Sequence, residues 1–238
     1  MRLPVKWLLT TALAILVTSP VFGQLLPGMM PMLENGLDTP ILLSNKGVRK
    51  EIKLSDEQYG KVHKIVKQVQ DKYQPKLSKT RADGDKATFV KLVADSTRET
   101  RDRVNKALPD ILTPEQAKRL KQIQIQVNGL ISLNKMEVQK ELQLTDKQKD
   151  EIKGIGENLK SDIAEVVKDA AGSPAQRLLE KARKAAEAAR KIKSLNEEAT
   201  QKALAKLTEE QKKTWHEMTG DKFDFKLLDL PNRPLGRP

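Results

Sequence analysis

Few side chains in this sequence can do chemistry on their own. Two histidines, His63 and His216, and no cysteine stand among its 238 residues. A protein zinc site needs three or four His, Cys or carboxylate ligands. Neither histidine has a second one a helical turn away. Met29, Met30 and Met32 offer thioethers to a soft metal, but they sit in a stretch punctuated by Pro and Gly. Without cysteine there is no thiolate nucleophile, no Cys-based metal site and no disulfide. No Ser/His/Asp order, glycine-rich phosphate loop or carboxylate pair stands out. The sequence therefore predicts no catalytic residue, no metal ligand and no cofactor, and the protein is read as a non-enzyme.

What does recur is a polar cluster behind a leucine. LSDEQ (54–58), LTPEQ (112–116), LTDKQ (144–148) and LTEEQ (207–211) are near copies. The first four N–H groups of a helix lack partners. A Ser or Thr at the cap accepts from one, and a Gln three places on reaches back to the cap's own N–H. Ser55 with Gln58, Thr113 with Gln116, Thr145 with Gln148 and Thr208 with Gln211 all fit. Acidic residues in the first turn favour the positive helix end, and Pro114 takes the first helical position, where a missing N–H is harmless. Leu54, Leu112, Leu144 and Leu207 precede the caps. Only the first has an apolar staple partner, Tyr59, so these leucines are expected to pack on other helices. On physical grounds the motif residues are helix starts with a mainly structural role.

The elements around the motifs repeat as well. LSNKGVRKEIKLSDEQ (43–58) aligns with LNKMEVQKELQLTDKQ (133–148) at an offset of 90 positions. KALPDILTPEQ (106–116) aligns with KALAKLTEEQ (202–211) with one residue dropped. Repeats read in the same order predict a tandem duplication. Each unit reads as a short lead-in and three helices. In the first unit Val62, Ile65, Val66, Val69 and Tyr73 mark one helical face. ADGD (82–85) is the turn, a second helix runs from about 87 to 108, and a third carries Leu120, Ile123, Val127 and Leu130. In the second unit Ile152, Ile155, Leu159, Ile163 and Val166 mark the first face and GSP (172–174) the turn. Leu178, Leu179, Ala182, Ala186, Ala189, Ile192 and Leu195 line the second helix, Trp215 and Met218 the last, and Gly220 stops it.

The ends differ in kind. A basic start, an apolar run from Trp7 to Val17 and a small residue at Gly23 have the order of a secretory signal peptide. The run is shorter than the roughly 20 residues that span a bilayer. The expected organisation is a signal peptide over 1–23, a flexible leader over 24–42, helical units over 43–131 and 132–220, and a tail over 221–238. In that tail Phe223, Phe225 and Leu228 are candidates to pack back. Export places the chain in the periplasm or an equivalent envelope space.

The formal net charge is +12, and it is uneven. Residues 44–128 hold 20 basic and 11 acidic side chains, against 18 and 16 in residues 134–219. A basic excess attracts nucleic acid, anionic membrane surfaces or acidic polypeptides. Export removes nucleic acid from that set and leaves a membrane surface as a weak alternative. Lys61, Lys64, Lys72, Lys76 and Lys79 lie along the first long helix as a candidate client-binding face. The competing reading is a solvated face whose lysine stems cover apolar surface.

Fourfold L-[ST]-x-x-Q, behind a signal peptide and on Lys/Glu/Gln-rich helices, resembles the LTxxQ-motif family of periplasmic Spy/CpxP-like chaperones. The resemblance covers the motif segments and their neighbours. It implies an all-α fold in which long amphipathic antiparallel helices form an elongated bundle or cradle. It further implies ATP-independent binding of unfolded or partly folded envelope proteins by a basic, partly apolar face. Family members typically carry two motifs and pair as dimers. Four motifs in one chain predict a monomeric pseudo-dimer, with a homodimer as the alternative. Two other function classes stay open at this point: an interaction module for one folded envelope partner, and a metal-responsive sensor.

Overall fold

The structure is a computed structural model that describes residues 36–171 and 178–224. The chain is all-α, and no strand occurs among the described residues. Among the described residues ten helices follow in order: α1 (Thr39–Ser44), α2 (Lys46–Glu51), α3 (Asp56–Ala82), α4 (Lys86–Ile111), α5 (Pro114–Asn128), α6 (Leu130–Leu133), α7 (Met136–Glu141), α8 (Asp146–Ala171), α9 (Leu178–Leu204) and α10 (Glu209–Thr219). The signal-peptide segment, Met29, Met30, Met32, the GSP turn, Phe225 and Leu228 lie outside the described residues. None of the described helices is long and apolar enough to cross a membrane.

Two compact units divide the chain. The first holds residues 36–127 together with Phe223 and Asp224, and the second holds residues 128–222. In the first unit, α3 and α4 form an antiparallel hairpin. Gly84 takes a positive φ of 71° in its turn, and Asp85 caps α4 by accepting from Thr88 N at 3.0 Å. A hydrogen bond with the Thr88 side chain, and then that N–H, hold the Asp85 carboxyl below its ordinary pKa.

The hydrophobic core lies at one end of this hairpin. It joins Leu42 and Leu43 of α1, Val48 of α2, Val62 of α3, Val104 of α4, Leu120 and Ile123 of α5, and Phe223. Phe223 is 1% exposed, and its N–H donates to Gln126 Oε1 at 2.9 Å. The stretch up to Leu42, expected to be a flexible leader, therefore ends in a helix whose Leu42 and Leu43 are fully buried. Six residues are too few to show a helical period. Pro40 near the helix start, and Asn45 accepting from Gly47 N and Val48 N to cap α2, fix it locally.

Leu130 departs from the expected third helix. That helix ends at Asn128, and Leu130 opens α6 in the second unit. Between them Gly129 adopts φ 47° as the residue before α6. A Cβ there would come within 2.8 Å of Thr200 Oγ1, the same oxygen that accepts from Leu130 N at 3.3 Å. Left-handed backbone and close approach both require glycine here. Gly129→Ala is expected to lower the stability of the second unit by about 1–2 kcal/mol, read from the urea midpoint with the m-value unchanged.

The second unit repeats the hairpin with a different interior. Ile152, Leu159, Ile163, Val166 and Ala170 of α8 are buried along most of the helix. From α9 the buried partners with described side chains are Ala188, Ala199 and Ala203. Small residues on one helix let the large ones of the other sit beneath its backbone. Leu130 and Leu133 of α6 close the end of the unit.

Candidate functional site

All four motifs start helices as the capping box requires. Gln58 N donates to Ser55 Oγ at 3.1 Å and Ser55 N to Gln58 Oε1 at 2.9 Å. The same pair of bonds joins Thr113 to Gln116, Thr145 to Gln148 and Thr208 to Gln211. Leu112, Leu144 and Leu207 are buried, and half-buried Leu54 packs against the first unit's core.

Beyond capping, the motifs are brought together in pairs. In the first unit Gln58 Nε2 donates to Gln116 Oε1 at 2.7 Å, and Gln116 Nε2 donates back to Gln58 Oε1 at 3.1 Å. The second amide hydrogen of each goes to the carbonyl just before the other motif's leucine. Gln58 reaches Ile111 O at 2.7 Å and Gln116 reaches Lys53 O at 3.0 Å.

The second unit builds the same clasp. Gln148 and Gln211 exchange bonds of 2.7 and 3.1 Å. Gln148 Nε2 also donates to Lys206 O at 2.9 Å, and Gln211 Nε2 to Gln143 O at 3.4 Å. Each glutamine thus uses both donors and accepts at least twice on its oxygen, the full capacity of an amide. A capping box admits Glu as readily as Gln, but a glutamate cannot donate to its partner. The uniform choice of Gln in four copies is the sequence signal of this pairing.

The clasp also depends on how α2 and α7 end. Lys53 N donates to Lys50 O at 3.1 Å and Leu54 N to Arg49 O at 2.9 Å, a Schellman turn. Gln143 and Leu144 make the same two bonds at the end of α7. Both turns put a non-glycine residue at positive φ, 52° at Lys53 and 51° at Gln143. Lys53 serves its clasp through its backbone carbonyl. Lys53→Gly is therefore expected to raise stability by about 0.5–1 kcal/mol, seen as a higher urea midpoint.

The five lysines expected on one face are distributed along α3 and are all exposed. Lys61 pairs with Glu57 at 2.9 Å and Lys72 with Glu99 of α4 at 2.6 Å. Lys64, Lys76 and Lys79 make no ion pair with the described residues. Their face is thus a broken basic strip rather than a continuous one.

Glu99 is the centre of a polar latch across the hairpin. Lys72 Nζ and Tyr73 Oη both donate to Glu99 Oε2, and Arg103 lies 3.8 Å from Oε1. Arg103 also donates to Gln68 at 2.7 Å. The hydrogen bond from Lys72 holds the Glu99 carboxyl below its ordinary pKa, and Glu99 in turn raises Lys72. Burial, then Glu99, raises the Tyr73 phenol.

The sign of the pH effect follows. A lowered Glu99 stabilises the hairpin above its unfolded pKa, and that contribution is lost as pH falls through the folded value. A raised Lys72 keeps its contribution below its ordinary value of 10.5 and loses it as pH rises through the higher folded value. Amide exchange protection around residues 70–100 should hold at neutral pH and fall below about pH 4, and Glu99→Gln should remove the latch's share of that acid dependence and leave the share of the Asp85 cap.

Past the latch, the hairpin runs on without a core. Between Gln70 and Arg103 the only buried residue is Thr80, whereas Tyr73, Leu77, Phe89, Val90, Leu92 and Val93 stay half-buried. Arg81 lies 5.1 Å over the Phe89 ring. His63 is exposed with its ring 5.9 Å from that of Tyr59, and His216 is exposed in the last turn of α10. Among the described residues no three His, Cys, Asp or Glu side chains come together as a metal set. Compared with known proteins, the chain matches no family model, no curated protein and no solved structure.

Proposed function

We propose that this chain is an exported, ATP-independent chaperone-like protein that holds unfolded or exposed segments of other envelope proteins. The observation that carries this reading is the distal half of the α3–α4 hairpin. Its apolar side chains are kept half-exposed from Gln70 to Arg103, while a charged latch rather than a core joins the helices. Such a surface offers a client apolar contact worth roughly 25 cal/mol per Å² buried. Exposed Lys76 and Lys79 lie on the same stretch and attract acidic clients, a contribution that salt screens. In the second unit Ile163, Val166 and Ala170 of α8 are buried along the corresponding stretch, so the client surface is assigned to the first.

The test is suppression of aggregation. Residues 24–238 are mixed with a reduced, aggregating client and light scattering is followed. Suppression at a several-fold molar excess is expected, together with its loss in Phe89→Ser/Leu92→Ser. These half-exposed positions lie outside the core, so circular dichroism should be unchanged in that variant. No suppression by the parent chain sinks the reading.

A further inference from the structure

The two Schellman turns share a backbone but are filled differently. In the first unit Arg49 Cζ stands 3.8 Å over the Tyr59 ring. Arg49 Nη1 is buried with no hydrogen-bond partner, as fits a guanidinium that spends its charge on a ring face. Ninety positions on, Gln139 stands in place of Arg49 and Lys149 in place of Tyr59. The stack has no counterpart, and an open depression of about 200 Å³ is left. Met136, Gln139, Lys140, Gln143, Leu144 and Lys149 line it. Met136 is 69% exposed, the one large hydrophobic side chain so exposed among the described residues; its first-unit counterpart is Lys46.

We propose that this depression receives one aromatic side chain, Tyr or Trp, from an extended segment of another polypeptide. The first unit shows the shape that completes this turn, an aromatic ring under a cation. The size fits, since a cavity of about 150 Å³ takes a benzene ring. The lining fits as well. Met136 offers a polarizable sulfur to a ring edge, and buried Leu144 an apolar wall. Lys140 and Lys149 supply ammonium groups for a ring face, and no carboxylate lines the depression. Lys149 is already tethered by Asp146 at 2.8 Å, so its ordering on binding is partly prepaid. The site lies in the second unit and stands independently of the hairpin surface in the first.

Methyl-13C methionine NMR on residues 24–238 tests it. The probes are a blocked Gly-Ser-Tyr-Ser-Gly peptide and its Tyr→Ser analogue. The Met136 methyl resonance, assigned through Met136→Leu, is expected to move upfield and saturate with a Kd near about 1 mM, with no shift from the analogue. Gln139→Arg/Lys149→Tyr, which rebuilds the first unit's stack, should abolish the shift while leaving the circular dichroism unchanged. The proposal is overturned if the Tyr peptide gives no shift, if the analogue shifts Met136 equally, or if the double variant still responds. A Met136 shift produced by raising the protein concentration alone would also overturn it, because a second copy would then be the occupant.

Discussion

Gln116→Glu is expected to lower the stability of the first unit by about 2–3 kcal/mol at pH 7. The glutamate oxygens can still cap α5 through Thr113 N and accept from Gln58 Nε2, so those two bonds survive. What is lost is donation. Lys53 O and Gln58 Oε1 lose the hydrogens they now receive at 3.0 and 3.1 Å and face a carboxylate instead. Two acceptors against a negative charge raise the pKa of the new carboxyl in the folded state. A raised carboxyl pKa means the charge-dependent part of the penalty is absent below the unfolded value of about 4.3 and grows as pH rises through the folded value; a smaller deficit persists there, because a protonated carboxyl restores one of the two lost donors. Urea unfolding of parent and variant should therefore differ most at pH 7 and converge towards pH 4. An equal deficit at both pH values would mean that only cap geometry is disturbed. Gln116→Met, which removes donors without adding charge, should be destabilised with no pH trend.

Leu43→Ala is the second large effect, an expected loss of about 2–5 kcal/mol. Leu43 is fully buried in a six-residue helix with little stability of its own, so α1 persists only because its leucines fill the space beside α3 and α4. Truncating one leaves a void that a short helix cannot collapse into without losing the other. Cooperative loss of the first unit's transition by calorimetry would confirm that the lead-in is core. A change under about 0.5 kcal/mol, the scale of surface substitutions, would mean that α1 is not part of the core.

The units also differ in how their hairpins are held. In the second, buried alanines on α9 meet large residues on α8. In the first, Glu99 and its three polar partners bridge α3 and α4 where apolar burial stops. A charged latch on exposed side chains contributes little net stability. It does leave the neighbouring apolar groups available to something else.

Much of this was legible in the sequence because it is local. Capping boxes, the 3.6-residue face of Val62, Val69, Ile152 and Leu159, and the stop at Gly220 are set by residues a turn apart, and they recur in the structure. The expected helix through Leu130 failed where Gly129 takes φ 47° and Leu130 N donates to Thr200 Oγ1, a partner far along the chain. The latch on Glu99 was illegible for the same reason: it joins residues on two helices whose register no local pattern states. The motif glutamines show both sides. Their type was written in the sequence four times, and capping explained their oxygens. Only the tertiary structure decided where their amide hydrogens go, because Gln58 and Gln116 are 58 residues apart and Gln148 and Gln211 are 63 apart. A hydrogen bond between two helix starts needs both helices already placed, and placement is a property of the packed chain.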